Sequence, residues 1–233
     1  QVGERRPGRG VGGHPATVGP APRTLDGVHG GPPDLVWYVS YGSNLHRARF
    51  VSYLVGGRMP GGLRADTGCR DPSEPLPDAA LHLPFPLYFS GESRVWSGGV
   101  AFLDHDPHPD ARRTYARGYV ITGEQFEDVV AQESKRTHAA IDWDVLRRDG
   151  RVTAGPGRYD LALVVGERDG LPMVTFTHPE PQAANALAAP VVGYLHMLAI
   201  GLRDAHGLSD AEVADYLVSH PGAQDAWSAS ELL

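Results

Sequence analysis

A glycine turn at residues 41 to 45 is the first feature of the sequence that could support chemistry. It follows an apolar run over 35 to 41 and precedes a stretch with helical spacing. A glycine between a strand and a helix lets consecutive backbone N–H groups point into one space beside the positive end of the helix. This geometry suits a carboxylate or an oxyanion, and a plain connecting turn fits the sequence equally well. The glycine spacing is not that of a phosphate-binding loop.

Glu133 is the second such feature, because helical spacing places it on a buried face. Apolar residues at 126, 129 and 130 follow the i, i+3, i+4 pattern, and 133 is the next position in that series. Burial raises the pKa of an unpaired carboxyl group toward the range in which it can transfer protons at neutral pH. The alternative is a glutamate at a helix end that pairs with Lys135, Arg136 or another arginine.

Other reactive residue types have less suitable surroundings. The run from Asp104 to Asp110 contains possible metal ligands, but prolines at 107 and 109 break any helical spacing, so we expect a solvated loop. Cys69 is the one cysteine, which excludes an internal disulfide and a cysteine-based zinc site, and we expect it to have no catalytic role. A Gly-x-Ser-x-Gly motif is absent, which argues against a serine hydrolase of that type.

The sequence predicts strands and helices that would position these residues. The predicted elements are a strand at 35–41, a helix from Asn44 as N-cap to a stop at Gly56-Gly57, strands at 86–90, 95–103 and 117–122, a helix from Thr122 to about Arg136, strands at 159–165 and 171–177, and helices over 190–207 and 209–220. Residues 58–86 and 137–158 are predicted to be loops. Strands grouped in hairpins favour an α+β fold with a mixed or antiparallel sheet or a small barrel.

Composition divides the chain into a tail and one domain. Glycine and proline make up 15 of residues 1–33, which we predict to be disordered. Residues 34–233 are long enough for a single core, with a C-terminal helical extension from about 185. The absence of a long apolar run and of a signal-peptide pattern predicts a soluble, cytoplasmic protein without a membrane partner. An acidic net charge on residues 34–233 disfavours nucleic-acid binding.

Three segments in a fixed order resemble the γ-glutamylcyclotransferase-like family, also called AIG2-like. These segments are YGSNL at 41–45, WSGGVA at 96–101 and RGYVITGEQFEDVVAQES at 117–134. The resemblance covers roughly residues 36–177, and the chain is identified as a longer member of actinobacterial type. The family usually has Asp-x-x-Glu-Gly around its glutamate, whereas this chain has Val129-Val130-Ala131-Gln132-Glu133-Ser134 and lacks both the aspartate and the glycine.

The resemblance implies a fold and a reaction. The fold would be a mixed β-barrel flanked by helices, with extra C-terminal helices. The reaction would be intramolecular attack of an α-amino group on a γ-glutamyl or similar amide, which gives 5-oxoproline and a free amine without a metal or a cofactor, in specialised metabolism. Glu133 would be the general acid and base. The implied substrate-binding residues are Tyr41, Gly42, Ser43, Asn44, Leu45, Trp96, Gly98, Gly99 and Tyr159. The alternatives are an amide hydrolase or deacylase on the same scaffold, and a non-catalytic protein that binds a small molecule.

Overall fold

A computed structural model describes residues 31–58, 65–76, 78–93, 96–110 and 112–233. Residues 1–30 of the predicted tail lie outside the described residues. Residues 31–33 are described, and the Pro33 carbonyl oxygen accepts a hydrogen bond from the Gly123 N–H at 3.0 Å. The described chain therefore contacts the rest of the fold from Pro33 onward.

Ten strands and six α-helices make up the described fold. The strands are β1 (Val36–Ser40), β2 (Gly57–Arg58), β3 (Ala65–Asp66), β4 (Asp78–Leu83), β5 (Leu87–Ser90), β6 (Val100–Leu103), β7 (Thr114–Ile121), β8 (Arg151–Thr153), β9 (Leu161–Arg168) and β10 (Leu171–Thr177). The helices are α1 (Arg47–Val55), α2 (Gly123–Glu133), α3 (Trp143–Asp149), α4 (Val192–His206), α5 (Asp210–Val218) and α6 (Ala229–Leu232), with 3-10 turns at Ser43–Leu45 and Gln182–Ala184.

The main sheet has six strands in the order β4-β7-β1-β10-β9-β8. The pair β1 and β10 is parallel and the other pairs are antiparallel, so the predicted α+β class with a mixed sheet is confirmed. The strands β4 and β8 are opposite edges of this sheet, and the hairpin β5–β6 forms a separate sheet. The described strands therefore do not close into the barrel that the resemblance implied, because the two edges are not paired with each other.

The central strand β1 is buried along its whole length. Its side chains alternate between two hydrophobic clusters, because successive residues of a strand point to opposite faces of the sheet. Trp37 and Val39 pack in one cluster with residues of α4 and α5, and Val36 and Tyr38 pack in the other cluster with residues of α1 and α2. The apolar run at 35–41 therefore forms a strand covered on both faces, as its sequence predicts.

The helix α2 begins as its sequence predicts. The Thr122 hydroxyl accepts from the Gln125 N–H at 3.0 Å, and the Gln125 side chain accepts from the Thr122 N–H at 3.0 Å, which completes the capping box. Phe126, Val129 and Val130 are fully buried, so the apolar stripe faces the core. Glu133 is the last helical residue of this stripe.

Two regions predicted to be loops contain regular structure. Residues 58–86 include β4, which pairs with β7 from Asp78↔Tyr119 to Leu83↔Thr114. The sequence of β4 alternates weakly because it is an edge strand that is half exposed. Residues 137–158 include α3 and β8; the short helix α3 is capped by Asp142, and the Trp143 indole donates to the buried Glu127 carboxylate at 3.0 Å. The Asp142 cap was a local sequence signal for α3, whereas the Trp143–Glu127 contact and the pairing of β4 and β8 depend on distant residues.

The helix α4 packs directly against the backbone of the turn at residues 43–45. A Cβ atom added to Gly201 would lie 2.5 Å from the Leu45 carbonyl carbon and 2.6 Å from the His46 nitrogen. The backbones of α4 and of the turn lie so close together that only glycine fits at position 201. The C-terminal helices share the hydrophobic cluster of β1 and are part of the same core.

We predict that Gly201→Ala destabilises the protein by about 1 to 3 kcal/mol, because the methyl group would overpack rigid backbone. Helix propensity alone predicts the opposite, a stabilisation of about 1 kcal/mol. The matched control is Gly193→Ala in the same helix, where an added Cβ has its nearest neighbour at 3.9 Å. Urea unfolding of both variants measures the free energies; a Gly201→Ala protein as stable as the Gly193→Ala protein would contradict the packing argument.

Candidate functional site

A cavity of about 340 Å³ opens where β1 ends, beside the end of α2 and the N-terminal half of α4. Seven of the ten predicted site residues line it. These are Tyr41, Gly42, Ser43, Asn44, Trp96, Glu133 and Tyr159. Segments that are far apart in the sequence therefore meet at one concave surface.

The turn after β1 is a single turn of 3-10 helix. The Leu45 N–H donates to the Gly42 carbonyl oxygen at 2.9 Å, and α1 begins two residues later at Arg47. Side chains of β7 hold the carbonyl groups of this turn. The Tyr119 hydroxyl donates to the Asn44 carbonyl at 2.8 Å, and Arg117 donates to the Leu45 carbonyl at 3.2 Å. The turn is fixed from the sheet side, while Gly42 to Asn44 border the cavity.

Asn44 does not cap α1, which corrects the prediction from the sequence. The N-cap residue is His46, and its side chain makes no capping hydrogen bond. The intervening 3-10 turn moves the start of α1 away from Asn44. The Asn44 side-chain amide instead donates to the Tyr38 hydroxyl and to Glu133 Oε1, both at 3.2 Å. Asn44 is 3% exposed, so its amide satisfies polar groups in the wall of the cavity.

The carboxyl group of Glu133 borders the cavity from the end of α2. Burial raises the pKa of this group above its usual value. The positive charge of Arg49 and the hydrogen bonds from Tyr53 and Asn44 oppose that effect and leave the pKa raised. Arg136, one of the alternative partners considered from the sequence, forms its ion pair with Asp160 at 3.1 Å.

Arg49 links the turn to the surroundings of Glu133, and its role was not predicted from the sequence. Its Nε donates to the Ser43 hydroxyl at 3.0 Å, and its Nη2 donates to the Tyr53 hydroxyl at 3.0 Å. Arg49 and Tyr53 are four residues apart on α1, a spacing that places them on one face of a helix. This spacing was a signal that could have identified them.

Aromatic side chains form another wall of the cavity. The rings of Trp96 and Tyr194 lie 5.5 Å apart, and the Tyr194 hydroxyl accepts from the Ala101 N–H at 3.1 Å. The Tyr159 ring lies 5.7 Å from that of Phe176. Tyr194 comes from α4, about 150 residues after the turn, and nothing local in the sequence pointed to it.

Three predicted binding residues lie outside the lining of the cavity. Leu45 is 1% exposed and belongs to the hydrophobic core. A Cβ atom added to Gly98 would lie 2.8 Å from Val191 Cγ1, and one added to Gly99 would lie 2.1 Å from the Ala188 carbonyl oxygen. The close approach of residues 188–191 therefore leaves no room for a side chain at positions 98 and 99. This packing accounts for the two glycines without a ligand, and their role in substrate binding stays a prediction.

The other reactive residues singled out in the sequence, the run from Asp104 to Asp110 and Cys69, lie outside the cavity lining. The Asp104 carboxylate accepts from the Gln182 N–H at 3.0 Å, and a His105 ring nitrogen lies 2.8 Å from the His178 carbonyl oxygen. Burial raises the pKa of the Cys69 thiol to about 12.

Within the described ranges, no group of three or more His, Cys, Asp or Glu residues is placed to hold a metal ion. No helix in the described part of the chain is long and apolar enough to cross a bilayer.

Comparison with known proteins gives limited similarity. No family model matches the chain. Histone deacetylase 5 from Arabidopsis thaliana is 30% identical over 202 residues, and the match covers 78% of this chain. The chain spans about 30% of the length of that curated relative.

Two solved structures are similar to the described fold at low sequence identity. A gamma-glutamyl cyclotransferase is 15% identical with a TM-score of 0.45, over 85% of this chain and 96% of that chain. An uncharacterized protein from Homo sapiens is 16% identical with a TM-score of 0.42, over 74% of this chain and 81% of that chain.

We predict that Arg49→Gln raises the pKa of Glu133 further, because it removes the positive charge that stabilises the carboxylate. Arg47→Gln is the matched control, since Arg47 lies on the same helix and pairs with the exposed Glu74 at 3.2 Å. Titration of the ¹³C-labelled glutamate carboxyl resonances measures the pKa. Equal Glu133 titration in both variants would show that Arg49 does not act on this carboxyl group.

Proposed function

We propose that the protein is a γ-glutamylcyclotransferase-like enzyme that releases an amine from a γ-glutamyl or similar amide and forms 5-oxoproline. The observation that carries this proposal is the position of Glu133, a carboxyl group of raised pKa that borders a cavity together with the Gly42–Asn44 turn. A carboxyl group whose pKa is raised by burial can accept and return a proton within one reaction. The resemblance of the sequence segments around the turn and Glu133 supports the same assignment.

The reaction uses a nucleophile that the substrate itself carries. The Glu133 carboxylate takes a proton from the α-ammonium group, and the free amine attacks the γ-carbonyl carbon. A carbon–nitrogen bond forms in a five-membered ring, and the electron pair of the carbonyl moves onto its oxygen. The carbonyl then re-forms, the bond to the leaving amine breaks, and protonated Glu133 gives its proton to that amine. The ring nitrogen still carries one proton more than the lactam needs, and the Glu133 carboxylate passes this proton to the released amine, which leaves as an ammonium ion. Correct orientation of such groups gives an effective concentration on the order of 10⁵ M or more.

The turn and the charged side chains suit such a substrate. The first N–H groups of a helical turn have no partner within the helix, so they can stabilise the oxygen that becomes negative during the attack. Arg49, Lys135 and Arg158 line the cavity, and Glu133 is the one acidic residue among its described lining. The lining therefore has a positive balance of charge, which favours a substrate with a carboxylate.

A second candidate reaction is hydrolysis of an amide, with water in place of the substrate amine. The observation that favours it is the match between this chain and about 30% of the length of a relative that is named as a histone deacetylase. The product distinguishes the two reactions, because hydrolysis gives a linear acid and cyclotransfer gives a lactam. A non-catalytic binding protein would bind γ-glutamyl compounds with no turnover.

We predict that Glu133→Gln lowers the rate of 5-oxoproline release by at least about 100-fold, because the amide cannot transfer the proton. Mass spectrometry of a panel of γ-glutamyl amines measures the lactam. Glu124→Gln on the same helix is the control, since Glu124 lies on the surface in an ion pair with Arg70 at 2.8 Å. A fully active Glu133→Gln protein would exclude the mechanism.

The same variant should be at least as stable as the wild type at neutral pH. A raised pKa in the folded state means that the ionised carboxyl group disfavours folding at pH values above its unfolded pKa. This cost is absent below the unfolded pKa and develops as the pH rises through the folded pKa. The stability difference between Glu133→Gln and the wild type should therefore grow from acidic to neutral pH, as thermal unfolding at several pH values would show.

A further inference from the structure

The residue that follows Glu133 makes a hydrogen bond that glycine could not make. Ser134 is the C-cap residue of α2, and its hydroxyl donates to Asp160 Oδ1 at 3.0 Å. Arg136 donates to the same carboxylate oxygen at 3.1 Å and to the Ala154 carbonyl oxygen at 2.8 Å. Two residues just beyond the end of α2 are thus attached to one acidic side chain.

Asp160 lies directly after the segment that forms the opposite wall of the cavity. It is fully buried, and it follows Gly157, Arg158 and Tyr159, all of which line the cavity. The packing around it is tight, because a Cβ atom added to Gly157 would lie 2.7 Å from Asp160 Oδ2. The Asp160 carboxylate and the wall segment are therefore packed closely together.

The other neighbour of Glu133 is fixed on the side of α1. The Gln132 side chain donates to the Tyr53 carbonyl oxygen at 2.9 Å and accepts from the Gly68 N–H at 3.3 Å. Glu133 therefore lies between two residues whose side chains are anchored in opposite directions. Ser134 stands where the motif of the family that the sequence resembles has glycine, whereas Gln132 occupies an unrestricted position of that motif.

We propose that Ser134 and Asp160 are positioning residues that join the end of α2 to the wall segment 157–159 and so hold the Glu133 carboxyl group in the cavity. The kinetic consequence of this inference rests on the proposed function. The placement of the Glu133 carboxyl group is independent of the proposed function. Without the Ser134 hydroxyl, the C-cap residue of α2 loses its side-chain attachment to Asp160, and the end of the helix, which is its least constrained part, can shift away from the wall segment. The Glu133 carboxyl group then becomes hydrated and no longer faces the turn.

Ser134→Ala tests the contact and leaves the Arg136–Asp160 ion pair in place. Ser134→Thr keeps a hydroxyl group. Ser219→Ala is the matched control, because Ser219 is the C-cap residue of α5 and its hydroxyl donates to the Tyr216 carbonyl oxygen at 2.7 Å, remote from the cavity lining. Asp160→Asn removes the acceptor, and the double variant Ser134→Ala/Asp160→Asn measures coupling between the two residues.

The first readout is the titration of Glu133 by carboxyl ¹³C NMR, with no substrate present. Arg49 and Asp66 act on this carboxyl group, Lys135 and Arg158 line the same cavity, and all four are retained in every variant. We expect the pKa of Glu133 to fall in Ser134→Ala and to stay at the wild-type value in Ser134→Thr and Ser219→Ala. A Glu133 titration in Ser134→Ala that matches the wild type would overturn the proposal.

The second readout is steady-state kinetics on a γ-glutamyl amide. We expect kcat to fall about tenfold in Ser134→Ala with KM changed less than about threefold, because a misplaced acid–base group slows chemistry more than binding. The double variant should be no slower than Asp160→Asn alone. Additive losses would overturn the coupling. A wild-type protein without turnover would contradict the proposed function, and the titration would still decide the placement of Glu133.

Discussion

The burial of one carboxyl group at the end of α2 is the constraint on which the site depends. Removing a carboxylate from water is costly unless other groups compensate. The compensation for Glu133 comes from the Asn44 amide, the Tyr53 hydroxyl and the charge of Arg49. All three lie on the turn or on α1. The end of α2 and the start of α1 must therefore remain in register for the folded protein to tolerate this charge.

The central strand β1 provides that register. It pairs with β7, whose Ile121 lies immediately before the cap of α2, and it leads directly into the turn. Burial on both faces prevents a slip of the strand, because a shift by one residue would exchange the side chains of the two clusters. Tyr38 illustrates this connection. Its ring packs against Phe50 of α1 and Phe126 of α2, at 5.0 and 6.0 Å, and its hydroxyl accepts from Asn44.

Local signals in the sequence predicted most of the elements and part of the site. The capping box of α2, the apolar run of β1 and the glycine stop of α1 each depend on neighbouring residues, and each was predicted correctly. The strand β4 depends on pairing with a distant strand, so its weak alternation was not sufficient. Asn44 was assigned to a cap because its residue type favours caps, whereas its side chain donates to Tyr38 and to Glu133, a partner 89 residues away that no local pattern indicates.

The residues beside Glu133 have a consequence for the chemistry of the cavity. Glycine after a catalytic glutamate would leave the helix end held by backbone contacts alone. In this chain a serine hydroxyl and a buried aspartate add a contact between the helix end and the Tyr159 segment. The two sides of the cavity are then joined by a side-chain contact as well as by the backbone. The same segment carries Arg158 at the cavity wall, so under the proposed function the contact that positions the acid–base group would also position one of the cations that meet the substrate. Substrate choice and proton transfer would then be physically linked through Asp160.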